Sequence, residues 1–517
     1  MRPVNIKGLM YRHNFGGHQR DIKMADQIQD FNNQGTKLFQ NGDFKGAIKF
    51  FDRILDINRY DLRAWINKSN CFLRLNKLQQ AANCLDRAVD IDPFYANGWY
   101  SKALVEQKHK KINKIGESLG MFLACSHKNT DSRVTQAEEI LKHLVDKGVK
   151  YNAKAFEMTF DGYRLASDQK DFQGSVDLLT KAAAISPGIS KLWQYRAMAQ
   201  DVLGQIPEAV KSYTNAIKLD TYNATYWFNK GLSLKNLGHM EAAISCYDKS
   251  IELSTHKPTL SQAWSNKGNC HNATGDMERA MECYDKALKL DSRNEKAWCN
   301  KGLALQNQGK LEQALECYDN ALEIEPKLAI AWNNKSFTYQ TMGDFEKSII
   351  CADTAIRYDK GLEAAWVNKG VAFYANNHYP EAINCYIKAL EIDPYQVVAC
   401  FNLGLCFYDM KNYEKAIGYY DQAIKIQPGY IKAWSNKANA LLGLKKYKEA
   451  LECLDQALRI DPNYSTAWYF KSFVMMNLKD AIGTIRCLET FLSINQPGTN
   501  QSYVEDAKAR LHAIKGA

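Results

Sequence analysis

The stretch "AWCNKG", residues 297–302, places Trp298 two residues before Asn300 and three before Lys301. "AWSNKG" at 263–268, "AWVNKG" at 365–370 and "AWSNKA" at 433–438 repeat the arrangement. A chain that keeps setting an amide and an ammonium beside its largest apolar side chain is repeating a structural unit that uses all three.

The spacing identifies the unit. Trp264, Trp298, Trp332 and Trp366 are each 34 residues apart, a period that belongs to stacked helical repeats. With the tryptophan as position 4, thirteen repeats begin at Ile28, Leu62, Ala96, Phe156, Ser190, Ala224, Ser261, Glu295, Ala329, Glu363, Val397, Ile431 and Ser465, and all ten tryptophans of the chain fall at that position. Position 8 is small (Gly231, Gly268, Gly302, Gly370, Gly404), and so is position 20 (Ala243, Ala280, Ala314, Ala382, Ala416), which lets two helices approach closely. Position 15 is often Gly (Gly204, Gly238, Gly275, Gly309, Gly343) and position 32 often Pro (Pro187, Pro326, Pro394, Pro428, Pro462), punctuating a turn and a stop. Apolar residues recur at helical spacing in "EQALECYDNALEI", residues 312–324. Each repeat is therefore expected to be a helix, a tight turn and a second helix.

This pattern resembles the tetratricopeptide repeat. The resemblance implies an all-α fold, an α-solenoid in which twelve to thirteen helix pairs stack into a right-handed superhelix, first helices lining the concave face. The physics agrees, since one helix pair cannot bury its apolar face and a stack can. The expected organisation is a basic N-terminal extension at 1–27, N-terminal repeats at 28–111, an irregular helical interruption at 112–155, the main array at 156–498 and a capping helix at 499–517. The extension, with its "NFGG" turn, reads as disordered in isolation. The interruption carries Ile115 and Phe122 where other repeats have small residues, and a concentration of positive charge. It reads as a hinge, a docking face for an acidic partner at Lys108, Lys110, Lys111 and Lys114, or a degenerate repeat with a solvated basic turn.

Net charge is +10, and residues 1–27 and 101–154 hold +3 and +5 of it. The concave positions supply no continuous basic stripe, which disfavours nucleic acid. No apolar run approaches the length of a membrane span, so no membrane insertion is expected. Of fourteen cysteines, eight occupy position 23, where second helices lie too far apart for disulfides. They read as small buried hydrophobes in a reducing, cytoplasmic compartment. Nucleotide-binding, nucleophile-elbow and metalloprotease motifs are absent, and His13 and His18 read as tail residues rather than metal ligands. No enzyme, cofactor or metal is expected.

Position 7 is lysine in nine repeats, and position 25 of the preceding repeat is aspartate in eight, as in Asp319 before Lys335; where position 25 becomes Ile387, the next position 7 becomes Leu403. That joint departure predicts an ion pair between adjacent repeats, the lysine stem packing beside the tryptophan.

Position 6 is an unbroken series of seven amides: Asn229, Asn266, Asn300, Asn334, Asn368, Asn402 and Asn436. It is similar to the asparagine ladders in the repeat arms of O-GlcNAc transferases and kinesin light chains, where such amides hold an extended peptide's backbone. The resemblance implies a peptide-binding groove without a catalytic domain, with Phe337, Tyr374, Phe401 and Tyr408 as apolar anchors. Tyr469 and Phe473 extend the aromatic character toward the C-terminal end. The clamp that co-chaperones of this family use for a C-terminal carboxylate needs lysine at position 5, and none stands there. The expected function is a non-enzymatic adaptor binding an extended peptide or partner segment. The alternative is a structural scaffold subunit of a larger complex, cytoskeletal or ciliary for instance, that uses its outer surface and N-terminal tail.

Overall fold

The computed structural model describes residues 18–126, 132–254, 256–494 and 501–515, with side chains from Met24 onward. Among the described residues there are 28 helices and no strand. Thirteen helix pairs follow the 34-residue period, with one extra helix, Ser132–Asp146, after the third pair and a final helix, Gln501–Lys515.

The turn inside each pair has one recurrent geometry. Position 15 is left-handed whether it is glycine, as at Gly309 (φ 75°), or not, as at Asn76 (φ 55°), Asn377 (φ 60°) and Lys445 (φ 58°). The left-handed residue satisfies the last carbonyls of the first helix. Capping then opens the second helix, the Asp276, Asp344 and Asp480 carboxylates each accepting a hydrogen bond from the backbone N–H three residues on.

The question raised by "AWCNKG" has a direct answer. In nine of the ten tryptophans the indole Nε1–H donates to the carbonyl six residues earlier, fastening the first helix to the turn that precedes it. Trp264 is the exception, because its helix starts early, at Lys257, and places the corresponding carbonyl inside helix. The lysine ammonium lies over the same ring, 5.3 Å from the centroid for Lys335 on Trp332 and for Lys471 on Trp468. It also reaches back to the preceding repeat: Lys68–Asp52, Lys267–Asp248 and Lys369–Asp353 all close at 2.6 Å, and Lys335 pairs with Asp319. The small residue at position 8 accommodates a tyrosine from the second helix. A Cβ on Gly302 would stand 2.7 Å from Tyr318 Cε1, and one on Gly404 2.4 Å from Tyr420 Cε1.

Two boundaries differ from expectation. The first helix runs His18–Gln40, so residues 18–27 continue the first repeat instead of belonging to an extension, while residues 1–17, and with them His13, lie outside the described residues. The interruption is also narrower than 112–155. The helix Ile112–Cys125 completes the third repeat, and only Ser132–Asp146 is additional. Ile115 and Phe122 are large because they join one core with Ala137, Leu141 and Leu144 of that extra helix. The small residues have moved to Gly116 and Gly120, where added Cβ atoms would meet Val149 at 2.7 Å and Phe156 at 2.6 Å.

The chain divides into two compact units, Met1–Asn300 and Lys301–Ala517. In the second, helix pairs stack in order and the final helix closes the end, burying Val504 and Ala507 against Leu488 and Phe491. The first unit contains a long-range seam. The second helices of repeats two and three, Leu78–Ile91 and Ile112–Cys125, face the N-terminal ends of first helices in repeats five to seven. Asp90 pairs with the fully buried Lys191, and Lys114 pairs with Asp220. Glu117 Oε1 accepts from Ser190 N (2.7 Å), Ser190 Oγ (2.8 Å) and Lys191 N (3.2 Å). Asn83 Nδ2 donates to Leu253 O at 2.8 Å, and the Trp65 and His256 rings meet edge to face at 4.5 Å.

Lys114 thus belongs to this seam, and Lys111 joins it with its ammonium 5.2 Å from the Tyr222 ring centroid. Two of the four lysines read as a docking face for an acidic partner are therefore engaged within the chain, and only Lys108 and Lys110 are exposed. All fourteen cysteines are thiols, thirteen of them buried. Burial pushes the Cys453 thiol up to about 11 and the Cys84 thiol up to about 12, so these two behave as small apolar side chains.

Candidate peptide-binding groove

First helices contact first helices down the second unit: Ala329–Thr341 meets Glu363–Ala375, which meets Val397–Asp409, which meets Ile431–Gly443. This repetition places Asn334, Asn368, Asn402 and Asn436 at equivalent points of four successive helices, all half-buried. Asn229, Asn266 and Asn300 occupy the same position in the first unit, also half-buried.

The amides are oriented by their own chain. Asn368 Nδ2 donates to Asn333 Oδ1 at 2.9 Å, and Asn300 Nδ2 to Ser265 Oγ at 3.2 Å. In each case position 6 leans on position 5 of the repeat before, and Asn67 does the same to Asn32 Oδ1 at 3.4 Å. The Asn368 backbone carbonyl accepts from Gln340 Nε2 at 2.6 Å. Asn266 donates to Gln262 O at 2.9 Å and accepts from Lys235 Nζ at 3.2 Å; Asn436 donates to Lys432 O at 2.9 Å. One side-chain N–H of Asn266, Asn300, Asn368 and Asn436 is used within the chain, and the Asn266 oxygen is used as well, so each of these amides keeps a second N–H with which to meet a guest's backbone carbonyl.

The proposed anchors separate. Phe337 is 46% exposed, an unpartnered ring beside the asparagine series. Tyr374 is half-buried and its hydroxyl donates to Asp409 Oδ2 at 2.5 Å; burial first, then this carboxylate, push the phenol well above its ordinary range. Tyr408 is half-buried and its hydroxyl accepts from Asn439 Nδ2 at 2.8 Å. Phe401 is a correction. It is only 8% exposed and packs on the Tyr420 and Tyr430 rings at 5.9 and 5.3 Å, because the loop before the next repeat folds over it. Tyr469 and Phe473 are covered too, by the final helix, which stacks Tyr503 on Tyr469 at 4.3 Å and sets the Arg510 guanidinium 3.3 Å from the Phe473 centroid.

The sequence reading missed a second apolar row. Leu303, at position 9 of the eighth repeat, is 37% exposed, and Ile330 and Val398, at position 2 of theirs, are 56% and 41% exposed. Isolated aliphatic residues on a helix carry no signal until the exposed side is known. Among the described residues no cluster of three or more metal-ligating side chains occurs, and no helix is long and apolar enough to cross a membrane.

Comparison with known proteins follows this geometry. Family profiles described as tetratricopeptide repeat match residues 38–105, 224–256, 261–294, 295–328, 329–361, 363–396, 397–430 and 431–464, together more than half of the chain. The chain belongs to the tetratricopeptide-repeat family. Among curated proteins it is similar to DnaJ homolog subfamily C member 7 of Homo sapiens, 27% identical over 219 residues, or 41% of this chain and 40% of that protein. It is also similar to the Hsp70-Hsp90 organizing protein of Triticum aestivum, 24% identical over 98 residues, or 19% of this chain and 16% of that one. The chain thus spans no more than about two fifths of either relative. Among solved structures, the APC/C hetero-tetramer Cut9-Hcn1 aligns over 87% of this chain and 96% of that one at 16% identity, TM-score 0.45. Yeast Tom70 aligns over 95% and 96% at 15% identity, TM-score 0.37.

Proposed function

We propose that this tetratricopeptide-repeat chain is a non-enzymatic adaptor that holds an extended partner segment against its asparagine-bearing first helices. The observation that supports it is the series Asn334, Asn368, Asn402 and Asn436, half-buried at equivalent points of successive helices, with the exposed Phe337 beside it. An extended guest rises about 3.3 Å per residue and first helices lie about 10 Å apart, so one amide serves every third residue. The guest is uncharged and apolar where it touches the groove. The lysines of position 7, such as Lys335, Lys369 and Lys437, are engaged by aspartates. Position 5, which would receive a terminal carboxylate, holds Asn333, Val367, Phe401 and Ser435 in this unit.

The relatives named for chaperone partners share the repeat, and this groove's chemistry points to an internal segment rather than a carboxylate-terminated tail. Affinity capture followed by mass spectrometry identifies the partner. Replacing Asn334, Asn368 and Asn402 together by Ala then weakens capture by about 2 kcal/mol, roughly 30-fold, at unchanged melting temperature. Wild-type affinity in that variant would transfer the role to the outer surface and to a scaffold function.

A further inference from the structure

The seam of the first unit borders a partly open pocket of about 30 Å³ between the helix Leu78–Ile91 and the starts of the helices Ala224–Asn236 and Lys257–Ala273. Arg87, Asn223, Thr225, Thr259, His256 and Asp86 stand in its wall. It is walled by residues far apart in sequence, and the peptide groove makes no use of it.

Its chemistry is donor-rich. The Arg87 guanidinium donates from Nη2 to Thr259 Oγ1 at 2.6 Å and lies 3.5 Å from Thr225 Oγ1 through Nη1; desolvation pulls it below its ordinary range, while the Asp90 and Asp86 carboxylates act on it from beyond direct contact. Asn223 is 2% exposed, its Oδ1 caps the Thr225 N–H at 3.0 Å, and its Nδ2 has no partner. Two helices of 13 and 17 residues begin at this wall, and helix N-termini offer partial positive charge and unsatisfied N–H groups. The His256 ring shares a hydrogen bond with Thr259 Oγ1 at 3.0 Å. Burial, then Arg87, Lys68 and Arg59, push that ring down to about 2, so the titratable neighbours that act on it are all cations. Asp86 is the one acid in the wall, and Lys102 holds it at 2.6 Å.

A half-buried guanidinium bonded only to hydroxyls, an unpartnered buried amide donor and two helix N-termini make a site for negative charge. We propose that the cavity binds one small inorganic monovalent anion of halide size, which joins the N-terminal repeats to repeats five to seven. The volume suits one small ion or a pair of water molecules. The ion satisfies Arg87 and Asn223 at once, and its release loosens the seam without touching the asparagine series.

The test uses the full chain. Thermal unfolding is compared in sodium chloride and sodium gluconate at equal ionic strength, and crystals grown in bromide are examined for anomalous scattering at the cavity. The expected result is a chloride-specific rise of about 2 °C or more by 100 mM and a bromide peak beside Arg87 and Asn223. Thr225→Val, which keeps the fold, reduces the chloride-specific shift, and Arg87→Gln abolishes it. Equal melting in the two salts with no bromide peak leaves a water-filled cavity and overturns the proposal. A peak without any chloride-specific shift is an adventitious ion only, and overturns it as well.

Discussion

Lys335 bridges two repeats: its ammonium lies 5.3 Å from the Trp332 ring centroid and pairs with Asp319 of the repeat before. The lysine side chain is 11% exposed and the aspartate 57%, so solvent screens the pair from one side. A double-mutant cycle with Asp319→Asn and Lys335→Met should give a coupling of about 0.5–1 kcal/mol. Zero coupling would leave the lysine as a packing residue on the indole alone.

Why this pair was legible when the seam was not follows from how each is written. Asp319–Lys335 recurs every 34 residues and fails jointly at Ile387 and Leu403, so sequence alone records the contact. Lys191–Asp90 and Glu117–Ser190 join residues 101 and 73 positions apart and occur once, so no period exposes them. The bulk of Ile115 and Phe122 told of something covering the third repeat, but that cover is the helix Ser132–Asp146 and not the seam. In the groove, the asparagine positions follow from register. The burial of Phe401 does not, because it depends on Tyr430 in the following loop.

Position 15 offers a stabilising substitution. Lys445 holds φ 58° where other repeats use glycine, and a side chain in that region costs roughly 1 kcal/mol. Lys445→Gly should raise stability by about that amount in chemical denaturation, whereas Gly309→Ala should lower it. A destabilised Lys445→Gly variant would show that the lysine makes a compensating contact at the helix end.

The close approach of Gly302 and Tyr318 has a natural complement in repeat nine, where Ser336 at position 8 faces Ala352 instead of tyrosine and bonds Ser348 Oγ at 2.9 Å. Gly302→Ser should therefore destabilise by about 1–3 kcal/mol. Adding Tyr318→Ala should relieve the clash, making the double variant less unstable than the two single losses summed. Strict additivity would mean that the residues do not press on one another.

Lys114 tests the seam. Its side chain pairs with the buried Asp220 carboxylate, and both are largely shielded, at 19% and 6% exposure. Lys114→Met strands a buried charge and should cost about 3 kcal/mol, lowering the melting temperature. Lys108→Met, at an exposed position, should change it little. If the two behave alike and only partner binding falls, the basic stretch is a docking face after all.

Glu106 ties that region to pH. It is 3% exposed, and burial pushes its carboxyl up to about 8, with Asp86 adding to the rise, while Lys102 at 3.8 Å, the Ser118 hydroxyl at 2.7 Å and Lys114 pull against it. The folded state therefore keeps a proton that the unfolded chain releases near pH 4.5. The protonated form's contribution is fully present below that value, and it is lost progressively as pH rises toward about 8. Glu106→Gln retains a neutral side chain able to hydrogen-bond Ser118 at every pH. It should match the wild-type melting temperature near pH 5, exceed it near pH 8, and flatten the slope between them. Parallel wild-type and variant curves across that window would show that Glu106 is ionised in the folded chain and that Lys102 neutralises it.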